Sequence, residues 1–166
     1  MKMTKFEGLR LLFPLAITAH NLEEAVWLPA WSNTLGIQQL IVNRGQFWFG
    51  AIILTILAYV LTGLSIRAGK EARSTYLLLG YAFAMLGNVI FPHLLATIIF
   101  RRYAPGLSTA ILFNAPIMTA LWKWAIQEKY ITLRKGLIVS SYVTGCLLLS
   151  IPVLFFIGQL LLGNIV

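Results

Sequence analysis

The string His20-Asn21-Leu22-Glu23-Glu24 puts one imidazole and two carboxylates within about a turn of helix. Residues four apart stack on one helix face, so His20 and Glu24 point together and Glu23 borders them. The chain has one further histidine, His93, and all five of its acidic residues are glutamates. The spacing compares with the zinc motif H-x-x-E-H, where histidines at i and i+4 bind metal and the glutamate between them is the general base. By analogy, His20 and Glu24 are metal ligands, Glu23 is the base and His93 is the third protein ligand. Two histidines and one carboxylate, with a position left for water, form a known catalytic zinc set. Two adjacent carboxylates in a low dielectric repel each other unless a cation stands beside them. Zinc or another divalent metal is therefore the expected cofactor, with metal-free acid/base or proton-relay chemistry, or a purely structural cluster, as the alternatives.

These residues sit in a chain built for a bilayer. Of 166 residues, 59% are hydrophobic and 11% charged, and the mean hydropathy is +0.83. Apolar runs approach the roughly 20 residues that cross a membrane as helix. They are continuous rather than alternating, and lipid admits only helices or closed barrels. The expected fold is all-α: a polytopic bundle in a single transmembrane domain over residues 1–166. Its five spans are expected at about 8–29, 47–66, 76–100, 107–126 and 137–162. The start, with its basic residues, apolar run and Ala19, reads as an uncleaved first span rather than a signal peptide, because apolar character resumes at "AVWLPAW". Between the first two spans, Leu35, Ile37, Leu40 and Ile41 offer one apolar face for an interfacial turn or helix. Pro152 predicts a kink in the fifth span. The single cysteine, Cys146, excludes an intrachain disulfide and a cysteine zinc cluster.

The net charge of +8 does not point to nucleic acid, because the basic residues stand singly in the short loops. With five spans, one side carries Lys2, Lys5, Arg10, Arg67, Lys70, Arg73, Lys123, Lys129, Arg134 and Lys135, and the other carries Arg44, Arg101 and Arg102. The positive-inside rule then puts the N-terminus in the cytoplasm and the C-terminus outside, in the inner (plasma) membrane. Trp27, Trp31 and Trp48 mark the outer interface, and Trp122 and Trp124 the inner one. At about 1.5 Å per residue, His20 and Glu24 lie roughly 18 and 24 Å above the inner end of their span, and Asn88 and His93 roughly 20 and 27 Å up theirs. Thr109 and Asn114, on the descending fourth span, fall in the same outer half.

Two further features border this depth. Pro92 cannot donate to the carbonyl of Asn88, so the third span should kink beside Asn88 and His93. In "RRYAPGLSTA", Pro105 suits a first helical turn and Gly106 permits close approach to the backbone. The free N–H groups of that turn, with Arg101, Arg102 and Tyr103 beside them, could hold a phosphate, a carboxylate or a developing oxyanion.

His20-Asn-Leu-Glu-Glu24, the later Asn88 and His93, and the "YAPGLSTA" stretch together resemble the HXXEE-domain family of small bacterial membrane proteins. The resemblance runs from about residue 8 through the fourth or fifth span. It implies a membrane location and a polar site that includes His20, Glu23, Glu24 and His93, but no settled reaction. The reaction expected from the residues is metal-assisted hydrolysis of an amphipathic or lipid-like substrate reached from the outer leaflet. His20, Glu23 and His93 carry the chemistry, and Asn88, Arg101, Arg102, Tyr103, Gly106, Thr109 and Asn114 contact the substrate. The competing classes are a metal-free Glu/His intramembrane hydrolase and a proton-coupled or metal transporter. A homo-oligomer is compatible with any of these. The inner half offers only hydroxyls and a thiol, which favours the enzyme over the transporter.

Overall fold

In the computed structural model, which describes residues 3–36 and 43–162, the first helix starts where its sequence can satisfy its own N-terminus. The first N–H groups of any helix lack intrahelical partners. For α1 (Lys5–Asn33), Thr4 and Glu7 form a reciprocal capping box: the Thr4 hydroxyl accepts from the Glu7 N–H at 3.2 Å, and the Glu7 carboxylate accepts from the Thr4 N–H at 2.8 Å. The remaining two donors, on Lys5 and Phe6, are taken by the two oxygens of Glu128, at 3.0 and 3.1 Å. One carboxylate from a distant loop thereby fixes where α1 begins.

Asn43 caps α2 (Arg44–Arg67), accepting from the Gly45 N–H at 2.8 Å. The next pass is broken. It runs as α3 (Arg73–Asn88), a π-helical segment over Val89–Leu94, and α4 (Leu95–Phe100). Phe91 leaves helical geometry at φ −124, ψ 117, immediately before Pro92. The kink expected at Pro92 is therefore present. The descending pass has α5 (Leu107–Thr109), a second π-helical segment over Ala110–Asn114, and α6 (Ala115–Gln127). Pro116 follows that wide turn and has no N–H for the Leu112 carbonyl. The final helix, α7 (Leu133–Leu162), continues through Pro152. There is no strand among the described residues. Ile37, Leu40 and Ile41 of the expected interfacial face lie outside them.

The helices pack as neighbouring passes: α1 on α2 and α6, α3 on α2, α6 and α7, and α2 on α7. Phe13, Ile17, Leu78, Leu79, Met118 and Leu121 are fully buried between them. Asn21 fastens α1 to α2, donating to the Ala51 carbonyl at 3.2 Å and the Thr55 hydroxyl at 2.8 Å. Two readings of the sequence need correction. Trp122, expected at an interface, is buried; its indole N–H donates to the Leu79 carbonyl at 3.0 Å. Arg10, expected in a loop-side band, is only 6% exposed and donates to the Ser65 carbonyl at 2.7 Å.

Three segments, Arg44–Arg67, Arg73–Phe100 and Leu133–Leu162, are long and apolar enough to cross a membrane. Their outward faces are apolar: Ile52, Ile56, Leu148, Leu149, Phe156 and Leu160 are all exposed. Helix α3 meets α7 closely because Gly80 has no side chain; a Cβ there would lie 2.8 Å from Val143 Cγ2. Gly87, on the same helix, has nothing within 4 Å of such an atom. Gly80→Ala should therefore lower the stability of detergent-solubilised protein by about 1–3 kcal/mol through overpacking against a stiff β-branched neighbour. Gly87→Ala should be neutral or slightly stabilising. Thermal unfolding of the two variants side by side checks this packing.

Candidate functional site

Helix α1, the π segment at Pro92 and the turn leading into α5 converge on the H-x-x-E-E string. Every one of its three ionisable side chains is engaged. His20 and His93 are 1% and 2% exposed. Their rings meet edge to face with centroids 4.9 Å apart. Glu24 lies between them, with Oε2 at 3.6 Å from His20 Nε2 and Oε1 at 3.3 Å from His93 Nε2. One donor atom from each of the three residues falls within 4.8 Å of the other two. Ligand atoms about 2.1 Å from a tetrahedral metal stand roughly 3.4 Å from one another. The two contacts to Glu24, one through each oxygen, are near that spacing, while the three donor atoms together spread to within 4.8 Å.

Glu23 faces the other way, into the turn before α5. Its Oε1 accepts from the Gly106 N–H at 2.9 Å and from the Tyr103 hydroxyl. Its Oε2 accepts from the Thr109 N–H at 3.0 Å and the Thr109 hydroxyl at 2.6 Å. The remaining turn donors are also used. Ser108 N–H donates to the Tyr103 oxygen at 3.1 Å, and Leu107 N–H to the Ala104 carbonyl at 3.2 Å. The N–H groups expected to hold a substrate anion are thus occupied by the chain's own carboxylate. Burial, together with the bond to Glu23, holds the Tyr103 phenol above its ordinary pKa, which keeps it a donor.

Thr109 links the two halves of the site. Its hydroxyl has one proton, which goes to Glu23 at 2.6 Å or to the Gly106 carbonyl at 3.2 Å. Toward His20 it can therefore only accept, so His20 Nδ1, 3.0 Å away, carries the proton. In neutral His20 the lone pair is then on Nε2. That atom is buried, has no hydrogen-bond partner among the described residues, and faces Glu24. Metal-binding histidines are oriented in this way, by a hydrogen bond to the other ring nitrogen.

Asn88 Oδ1 stands 3.0 Å from His93 Nε2, on the last residue before the π segment. The π segment carries His93 inward. Gly106 is required by two observations. It sits at φ +93, and a Cβ would lie 2.4 Å from His93 Cε1 and 2.9 Å from Glu24 Cγ. The other expected contact residues disperse. Arg102 Nη1 donates to the Thr34 hydroxyl at 2.9 Å. Arg101 is exposed in the left-handed conformation that ends α4. Asn114, one turn beyond Thr109, is fully buried with neither amide atom partnered among the described residues.

Beside the cluster lies an open cleft of about 540 Å³, lined by Glu23, Trp27, Trp31, Thr34, Tyr103 and Ser108, among others. Pro105 also lines it, so the Pro105–Gly106 turn separates the cleft from the histidines. Ser108, and Thr97, which accepts from the Ala104 N–H at 3.1 Å, gave no signal in the sequence. Isolated hydroxyls in apolar runs look like packing residues.

The two glutamates should respond differently to neutralisation. Glu23→Gln places an amide NH₂ among four donors and breaks charge-assisted bonds, so it should cost about 2–3 kcal/mol of stability. Glu24→Gln, which removes a charge with no hydrogen bond of this kind, should unfold close to wild type. Thermal unfolding of both purified variants measures the difference.

Comparison with known proteins adds a family. Residues 11–121 match the family model described as "Protein of unknown function with HXXEE motif". The matched stretch holds His20, Glu23, Glu24, Asn88, His93 and the turn at Gly106. The chain is also 39% identical over 148 residues to "Uncharacterized protein YrkK" of Bacillus subtilis (strain 168), covering 89% of this chain and 93% of that one. No solved structure matches. With most of its length matched and the His20–Glu24 string in place, the chain belongs to the HXXEE family.

Proposed function

We propose that this protein is an integral membrane enzyme in which His20, Glu24 and His93 hold a divalent metal, zinc being the first choice, and which hydrolyses an ester or amide in an amphipathic substrate. The observation that carries the reading is the bare Nε2 of His20. Its tautomer is set through Thr109, its lone pair lacks a hydrogen bond, and a carboxylate and a second imidazole stand at ligand spacing. A buried polar atom without a partner is costly in an apolar interior, and a cation beside Glu24 removes that cost. As placed, Asn88 Oδ1 accepts from His93 Nε2–H at 3.0 Å, so His93 joins a metal through Nε2 once the ion displaces that proton and the Asn88 bond.

A metal so bound supplies Lewis acidity toward a carbonyl and a water of lowered pKa. The chain's residues do the rest. The water oxygen bonds to the acyl carbon, the acyl C–O or C–N bond breaks, and the water proton passes by way of Glu24 to the leaving group. Glu24 takes the proton because Glu23 already accepts from four donors. Glu23 then acts as a positioning residue, fixing His20 through Thr109 and holding the 103–109 turn over the site. The same geometry without metal gives a Glu24/His93 hydrolase. Transport is the second reading, and it has one observation in its favour: Arg10 is buried near Ser65 and Thr75, far below the cluster.

The bilayer setting is part of the proposal. The exposed apolar faces of α2 and α7 suit lipid. Helix α1, with its buried charges, and the Leu107–Gln127 pass would cross with them, giving five spans. The ten-to-three distribution of Lys and Arg supports a cytoplasmic N-terminus and an external C-terminus in the bacterial inner membrane.

Two experiments test these statements. Elemental analysis of purified protein should find about one divalent metal per chain, and His20→Ala or Glu24→Gln should reduce it at least tenfold; wild type that stays metal-free after zinc exposure removes the metal. A reporter fused to the C-terminus should be active only outside the cytoplasm, and a cytoplasmic C-terminus means an even number of spans.

A further inference from the structure

The cleft beside Glu23 has an ordered chemistry along its length. At its mouth, Arg102 is anchored to Thr34, a lining residue, through Nη1 at 2.9 Å. Neither Arg102 nor its neighbour Arg101 pairs with a carboxylate among the described residues. One turn of α1 below Thr34 comes Trp31, its ring edge to face with Phe100 at 5.7 Å. One turn lower again is Trp27, 58% exposed. At the inner end stand the hydroxyls of Tyr103 and Ser108, bonded to each other at 2.8 Å, beside Glu23. The order is therefore cation, aromatic wall, then polar hydroxyls next to the Pro105–Gly106 turn, whose far side touches His93 and Glu24.

We infer that this cleft binds a phosphate-bearing diacyl lipid, with the phosphate at Arg102, the glycerol and its esters along Trp31, and an acyl chain running past Trp27 toward Tyr103 and Ser108. The charge complementarity is local: the mouth offers unpaired guanidinium donors, which match phosphate geometry bidentately. From Thr34 to Trp27 the helix rises about 10 Å, and to Glu23 about 16 Å. An extended lipid spans that distance between its phosphate and the region below its esters. The inference goes beyond the proposed hydrolase, because the Pro105–Gly106 turn stands between this cleft and the histidines, and its binding step needs no metal.

The test is calorimetric titration of the purified full chain in a neutral detergent with short-chain lipids. Dihexanoyl phosphatidylglycerol and dihexanoyl phosphatidylcholine should both bind saturably, and dihexanoylglycerol, which lacks the phosphate, at least tenfold more weakly. Arg102→Gln should abolish that preference, while Trp27→Ala should weaken all three ligands together. Inorganic phosphate at millimolar concentration should not displace the phospholipids. Equal binding of dihexanoylglycerol, or an unchanged preference in Arg102→Gln, overturns the inference, as does inorganic phosphate binding as tightly as the lipids. His20→Ala separates the two claims. It should keep lipid affinity while losing metal. Lipid binding in a wild-type protein that takes up no metal would sink the metal centre and leave the lipid site standing, whereas metal uptake without lipid preference would do the reverse.

Discussion

The structure depends on one carboxylate and where it spends its charge. Glu23 receives two backbone N–H groups and two hydroxyls from the segment 103–109. A charge in an apolar bundle is tolerable only when hydrogen-bonded in this way. The bond set fastens the start of the Leu107–Gln127 pass onto α1 and draws Gly106 down onto His93 and Glu24. It also settles, through Thr109, which nitrogen of His20 is bare. One interaction therefore fixes the turn, the helix pairing and the tautomer.

The division of labour between the adjacent glutamates follows from helix geometry. At i+3 from His20, Glu23 swings off the shared face and meets the turn. At i+4, Glu24 stays on it and meets the two imidazoles. Equal chemistry at neighbouring positions thus becomes a structural anchor at one and a carboxylate set between two imidazoles at the other. The π segments serve the same end. The one over Val89–Leu94 turns His93 inward, and the one over Ala110–Asn114 follows Thr109. Wide turns of this kind recur at functional sites in helices.

Much of this was legible in the sequence, for reasons that differ by residue. The helices announce themselves as long apolar runs, and the shared depth of His20, Glu24 and His93 follows from rise per residue, because the first and third passes run in the same direction. Pro92 gave away its kink by its missing N–H. What the sequence could not reveal was direction around the helix axis. Arg10 looked like a loop-side charge and proved to face Ser65. Trp122 looked interfacial and proved to be core. The N–H groups of the turn at Gly106 looked free, because nothing in a linear string says that a carboxylate eighty-three positions earlier will fill them. Ser108 was silent for a similar reason: a hydroxyl gains meaning only from its neighbours in space.

The most direct measurement is of the imidazole nitrogens themselves. Nitrogen-15 NMR of protein labelled at histidine, assigned with a His93 variant, reports which ring nitrogen of His20 bears a proton. The Glu23–Thr109–His20 chain predicts a proton on Nδ1 and a bare Nε2 at neutral pH, with the Nε2 signal shifting when zinc is added and Thr109→Val erasing the tautomer preference. A His20 protonated at Nε2, or one indifferent both to zinc and to Thr109→Val, would contradict it.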